Sequence, residues 1–195
     1  MEKTREMKEM DKKKMMPIGP MMIEHRLIER MIDVMRTELD RFLREKKADP
    51  ELILTFVDFV RTYADRCHHG KEEDILFREL GSRDLSKEHR DMVGQLIKDH
   101  KWARQQTKDL VQATEKYAAG DEGMFLVITA RLKALTDFYP RHIEKEDRHF
   151  FLPVMRYFSQ EEKDAMLQEG FEFDQSLIHD KYRQIVEQAE RAVAE

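Results

Sequence analysis

Residues 51–80 read ELILTFVDFVRTYADRCHHGKEEDILFREL, and the spacing of their apolar positions decides the fold. Ile53, Val57, Val60 and Ala64 recur at steps of three and four, which draws a single stripe along an α-helix. His68 and Glu72 continue that stripe before Ile75/Leu76 take it up again. Asp49-Pro50 supplies the start, an Asp N-cap followed by Pro at the first helical position, where no N–H is needed. Gly81 supplies the stop.

The same period extends on both sides. Met21, His25, Ile28, Ile32, Met35, Leu39 and Phe42 trace a preceding helix that runs to about Lys47. Ser86 caps a third, with the stripe His89, Val93, Leu96, His100, Ala103, Thr107, Leu110, Thr114 and Tyr117, ended by Gly120. The fourth reads Met124/Phe125, Ile128, Leu132, Leu135, Tyr139, His142, Glu146 and His149, until Pro153 halts it. Short connections predict antiparallel neighbours, up-down-up-down. Ser159 and Glu162 form a capping box for a short helix ending near Gly170, and Ile178, Tyr182, Ile185 and Ala189 mark a last one. Residues 1–16 show no steady apolar face and close on Pro17, Gly19 and Pro20. The expectation is an all-α chain: a flexible lead-in over 1–19, an antiparallel four-helix bundle over 20–158, and additional C-terminal helices over 159–195 packed on the bundle.

Composition narrows the function classes. Charged residues make up 38% of the 195, but both signs are mixed along the chain and the net charge is only −5, which speaks for solvated helix faces rather than a nucleic-acid surface. Cys67 has no second cysteine to pair with, so a reducing, cytoplasmic setting is expected. No apolar run approaches the ~20 residues that a membrane span requires, and the N-terminus has no signal-peptide core.

The histidines carry the chemistry. His25, His68, His100 and His142 each take a slot that the stripe reserves for an apolar side chain, and Glu72 and Glu146 follow two of them by four residues. Residues four apart lie one above the other, so each pair turns an imidazole and a carboxylate to the same point in the core. In antiparallel order all six positions converge on one end of the bundle, within one layer at ~1.5 Å rise per residue. Buried carboxylates and imidazoles without a cation would cost several kcal/mol per ionised group, as an order of magnitude. Nitrogen and oxygen donors without thiolates suit iron, manganese or zinc, and two carboxylates in a bundle core suit a pair of metals, iron first. His69 and Glu73 repeat the spacing of His68 and Glu72. The earlier pair is preferred because His68 continues the Ala64 stripe, whereas His69 is expected to turn toward Asp65, Arg66 and solvent. Tyr63, Tyr139 and Tyr182 read first as core aromatics, and secondarily as groups that orient a ligand.

The series His25, His68-His69-Gly70-Lys71-Glu72-Glu73, His100-Lys101-Trp102-Ala103-Arg104 and His142-Ile143-Glu144-Lys145-Glu146 resembles the hemerythrin-like family, the HHE cation-binding domains, over roughly residues 20–158. The resemblance implies a non-haem di-iron centre with His25, His68, His100 and His142 as terminal ligands and Glu72 and Glu146 as bridges. Oxygen-carrying hemerythrins place two histidines one turn apart on the third helix. Here the turns beside His100 offer Leu96 and Arg104. One ligand is therefore short or comes from elsewhere, and His179 is the candidate if the last helix folds back. An open position suits binding of, or reaction with, O2, peroxide or NO, with an iron-responsive sensor or scavenger as the alternative.

Overall fold

The computed structural model describes the chain from residue 16 to residue 194, with side chains described as far as 177. The lead-in expected over 1–19 therefore lies, up to residue 15, outside the described residues. Five helices account for the described chain, and no strand occurs among the described residues. Helix α1 is Ile18–Glu45. Helix α2 occupies residues 50–81 and is composite: α-helical over Pro50–Phe59, widened to π-helix over Val60–His69 and Glu72–Phe77, and α-helical again over Arg78–Gly81. Helix α3 is Lys87–Ala118. Helix α4 occupies residues 124–154, with a π segment at Glu146–Phe150 between α-helical Met124–Lys145 and Phe151–Val154. A 3-10 turn at Met155–Tyr157 leads to α5, Gln160–Ala194.

The helix ends follow the local chemistry. Asp49 accepts from the Leu52 N–H at 3.1 Å, and Ser86 accepts from the His89 N–H at 3.3 Å. Ser159 and Glu162 satisfy each other's backbone N–H groups as a reciprocal box. Gly120, at φ 101°, takes the left-handed conformation that ends α3. Helix α1 begins at Ile18, earlier than the expected Met21, with Pro20 in its first turn, where a missing N–H costs nothing.

Helix α1 packs against α2 and α4, and α3 against the same two, which is the square cross-section of an antiparallel bundle. The interior is split along the bundle axis. One apolar cluster contains Ile28, Ile32, Met35, Phe42, Ile53, Phe56, Leu110, Ile128 and Leu132. The other contains Met21, Leu76, Leu80, Leu96, Phe150 and Phe151. Each of the four bundle helices passes from one cluster to the other, and the residues between them are the polar ones: Glu24 and His25, 68–72, His100, and 142–146.

Helix α5 is continuous through Gly170, where a break had been expected. Glycine inside a helix costs only ~1 kcal/mol relative to Ala, which the seating of Met166 and Leu167 against the bundle outweighs. The helix lies on the π segments of α2. Its closest approach is the Phe173 ring over Gly70, where an added Cβ would stand 2.7 Å from Phe173 Cζ. Beside it, Lys71 Nζ donates to Asp174 Oδ1 at 2.6 Å. No helix among the described residues is long and apolar enough to cross a membrane.

Gly70→Leu is expected to unseat α5 and to destabilise the protein by ~1–3 kcal/mol through overpacking. Thermal unfolding and the rate of proteolytic cleavage within α5 measure it, and no change in either would show that α5 does not rest on this contact.

Candidate metal centre

The centre begins with a backbone feature. A regular α-helix that turns His68 inward carries its successor about 100° around the axis, following from 3.6 residues per turn, which is why His69 was expected at the edge. Within Val60–His69 the chain closes i→i+5 turns, which enlarges each turn and changes the phase. Both imidazoles are consequently buried at 1% exposure, and His69 does not face solvent. Its ring stacks on His100 with centroids 3.9 Å apart.

Around His69 the remaining side chains assemble into two groups that share carboxylates. His25, His68, Glu72 and Glu146 offer donor atoms all within 4.8 Å of one another, and so do His69, His100, His142 and Glu72. Glu72 reaches both sides, with Oε1 3.6 Å from His68 Nε2 and Oε2 3.3 Å from His100 Nε2. Glu146 does the same, with Oε2 3.3 Å from His25 Nε2 and Oε1 3.2 Å from His142 Nε2. Two donors bound to one ion at ~2.1 Å stand roughly 3.0–3.4 Å apart, the range of most of these separations.

The donor atoms fit a metal for a second reason. The Nε2 atoms of His25, His68, His69, His100 and His142, and both oxygens of Glu72 and Glu146, are buried without a hydrogen-bond partner. Both glutamates are 0% exposed. Buried polar atoms are almost always satisfied, and ionised ones are paired or coordinate metal. Nine such atoms converging on one layer make a site capable of holding metal.

In four of the five rings the opposite nitrogen is hydrogen-bonded to an acid. The Nδ1–H of His25 donates to Asp147 at 2.8 Å, that of His68 to Glu24 at 2.9 Å, that of His69 to Asp65 at 3.3 Å, and that of His100 to Glu73 at 2.6 Å. His142 Nδ1 lies 3.6 Å from Asp99 Oδ2. These contacts fix the tautomer, aim Nε2 inward and raise its basicity as a ligand. Glu73 therefore orients His100 and is not turned into the donor cluster. Sequence reasoning missed these acids except Glu73, although a signal exists. Glu24, Glu73, Asp99 and Asp147 each adjoin a residue of the cluster and serve a histidine on a neighbouring helix. The side chain of His179, the expected replacement ligand, lies outside the described residues, and His69 stands with His100, His142 and Glu72 on the three-histidine side.

Charge in the layer is strongly coupled. Burial disfavours the charged form of His25, but its hydrogen bond to Asp147 and the Glu146 carboxylate beside it prevail and raise it to about 9. His100 likewise rises to about 11 against its burial, through Glu146, Glu72 and Glu73. Burial, with His100 and His142 beside it, holds His69 well below its ordinary value. Burial alone would raise Glu146, but His142, His100 and His25 hold it well below the usual carboxylate range. Burial also keeps the Tyr139 phenol protonated.

Comparison with known proteins gives one match. The family model for the hemerythrin HHE cation-binding domain matches residues 16–152. The chain belongs to the hemerythrin HHE cation-binding family. No curated protein matches it, and no solved structure matches it. The matched segment takes in all four bundle helices up to the last turn of α4, and every residue of the hemerythrin-like His/Glu cluster falls inside it.

Asp147→Asn is expected to lower metal affinity 10–100-fold with the helical content unchanged, since it weakens the acid that orients His25; competition with a chelator measures it. Protons and metal compete for the same nitrogens. In metal-depleted protein the raised His25 and His100 stabilise the fold fully below about pH 6.5, and that stability is lost as pH rises through about 9 for His25 and about 11 for His100. The melting temperature of depleted protein should thus fall above pH 6.5 while the increment on adding metal grows. A pH-independent increment would refute the competition.

Proposed function

We propose that this chain is a non-haem di-iron protein of the hemerythrin-like kind that binds or reacts with O2, peroxide or NO. His25, His68, His69, His100 and His142 serve as terminal ligands, and Glu72 and Glu146 as bridges. What supports the reading above all is the unequal division of donors. One group has three imidazoles and the other two, while each takes one oxygen from both glutamates. The two-histidine side is thus one protein donor short, and an open position is what an exogenous ligand needs. The histidine that sequence reasoning sought on the third helix or near the C-terminus is taken to be His69.

A pair of irons in this layer would supply redox and Lewis-acid chemistry toward a small ligand. The chain's own part is to hold, orient and exclude water. Four acids hydrogen-bonded behind the imidazoles set their direction, the two apolar clusters close the layer from both ends, and Phe151 stacks on His25 with centroids 5.5 Å apart. Iron is preferred to manganese or zinc because the donor set mixes imidazole with carboxylate and contains no thiolate. The one cysteine, Cys67, is a buried free thiol, which burial pushes up to about 12 and so keeps protonated. A cytoplasmic setting and the absence of a nucleic-acid partner remain part of this reading.

A second reading is an iron-responsive sensor or scavenger. It is favoured by Glu24, which holds His68 and also pairs with Lys71, the residue that Asp174 of α5 clamps. Metal loading would then be felt in the seating of α5. Equal protection of α5 from hydrogen exchange with and without metal would count against it.

Elemental analysis of protein purified with iron supplied, together with its optical spectrum and rapid mixing with each oxidant, tests the main reading. About two irons per chain, and a spectral response to at least one oxidant, are expected. His69→Ala should reduce the iron content toward one per chain, because it removes a donor from the three-histidine side. Metal absent from the wild type, or an iron-loaded protein silent toward all three molecules, would overturn the reading.

A further inference from the structure

Each acid that stands behind an imidazole is itself faced by a base. Arg26 pairs with Asp147, Lys145 with Asp99, and Arg104 with both Asp65 and Glu73. The side chains of Lys145, Arg104 and Arg26 are 29%, 37% and 55% exposed, so water and salt screen their charges. Lys71, which pairs with Glu24 behind His68, differs: its side chain is 4% exposed and that of Glu24 is 10% exposed. A charge held there acts on its neighbours with little screening.

Lys71 is also shared between two acids. Its Nζ donates to Glu24 and, at 2.6 Å, to Asp174 Oδ1. Cys67 Sγ donates to the same Asp174 oxygen at 3.3 Å. Asp174 belongs to α5 and lies beyond residues 16–152, the segment that the HHE family model matches. The series Asp174, Lys71, Glu24 therefore runs from an added helix to Nδ1 of His68, in the group with two histidines rather than three. The seating of α5 has other supports. Arg78 makes two 2.7 Å hydrogen bonds to Glu169, Met166 and Leu167 are buried against the bundle, and Phe173 lies over Gly70.

Sharing decides the direction of the effect. A carboxylate that faces an ammonium alone gives up part of its strength as an acceptor, and it keeps more when a second carboxylate draws on the same ammonium. Asp174 thus leaves Glu24 a stronger acceptor for the His68 Nδ1–H, and a stronger acceptor there makes Nε2 a better donor to metal. Lys71 acts in the opposite sense. We propose that Asp174 and Lys71 are positioning residues of the metal centre, through which α5 sets how strongly the two-histidine side holds its metal. This rests on the di-iron reading above and adds to it a control exerted by a helix outside the matched segment.

Competition with a chelator for Fe(II), in the absence of oxygen, reads the affinity of each binding step in the full chain. Asp174→Asn should weaken one step ~fivefold, less than the 10–100-fold of an acid that touches a ligating imidazole directly, and Asp174→Glu should restore it. Lys71→Gln should tighten the same step, because it removes a positive charge beside Glu24. Loosening of α5 would weaken binding in both variants and so does not produce opposite signs. Arg78→Gln, which breaks the clamp on Glu169 and touches none of these residues, should leave both steps unchanged. Should Lys71→Gln fold poorly, the nitrogen resonance of His68 Nδ1 in Zn(II)-loaded protein serves instead, and it should move in Asp174→Asn but not in Arg78→Gln. Unchanged affinity in folded Asp174→Asn, weakening in Lys71→Gln as well, or an equal loss in Arg78→Gln overturns this inference alone. A wild type that binds no Fe(II) overturns it together with the di-iron reading.

Discussion

Everything in this molecule is arranged around the burial of Glu72 and Glu146 in a layer where no protein hydrogen bond reaches their oxygens. Two carboxylates removed from water cost several kcal/mol each, as an order of magnitude, unless a cation stands beside them. The chain answers by placing five imidazoles on the same layer and closing it above and below with two apolar clusters. The bundle gains most of its packing from those clusters, and the layer between them holds the buried His/Glu cluster.

Helix widening is the device that makes one layer hold so many donors. A regular helix shows a given level of the core one or two side chains per turn, because successive residues diverge around the axis. The π segments Val60–His69 and Glu72–Phe77 in α2 and Glu146–Phe150 in α4 lie at the donor-bearing turns. In α2 the consequence is that His68 serves one side of the cluster while adjacent His69 serves the other. Such segments recur at functional sites.

The acids behind the imidazoles tie the helices together through the site rather than through the core. Glu24 of α1 supports His68 of α2, Glu73 of α2 supports His100 of α3, Asp99 of α3 stands behind His142 of α4, and Asp147 of α4 supports His25 of α1. The contacts run once around the bundle. Helix α5 joins the circuit through Asp174, Lys71 and Glu24, with Lys71 nearly wholly buried at 3% exposure. An ion so placed is destabilising if it loses either partner, and one of its partners, Glu24, is also the acid behind His68.

The sequence by itself determined the helices, their caps and their antiparallel order, because apolar period, Asp49, Ser86 and Ser159 act within a few residues of where they stand. It also singled out His25, His68, Glu72, His100, His142 and Glu146, since a polar residue in an apolar slot is conspicuous along one stripe. Only the tertiary structure decided the role of His69, because a π-helical turn is produced by packing and leaves no mark in residue spacing. The same holds for the pairing of His25, His68 and His100 with acids from neighbouring helices, and for the placing of Asp99 beside His142. Those features exist between helices, where a one-dimensional period carries no information about which side chains meet.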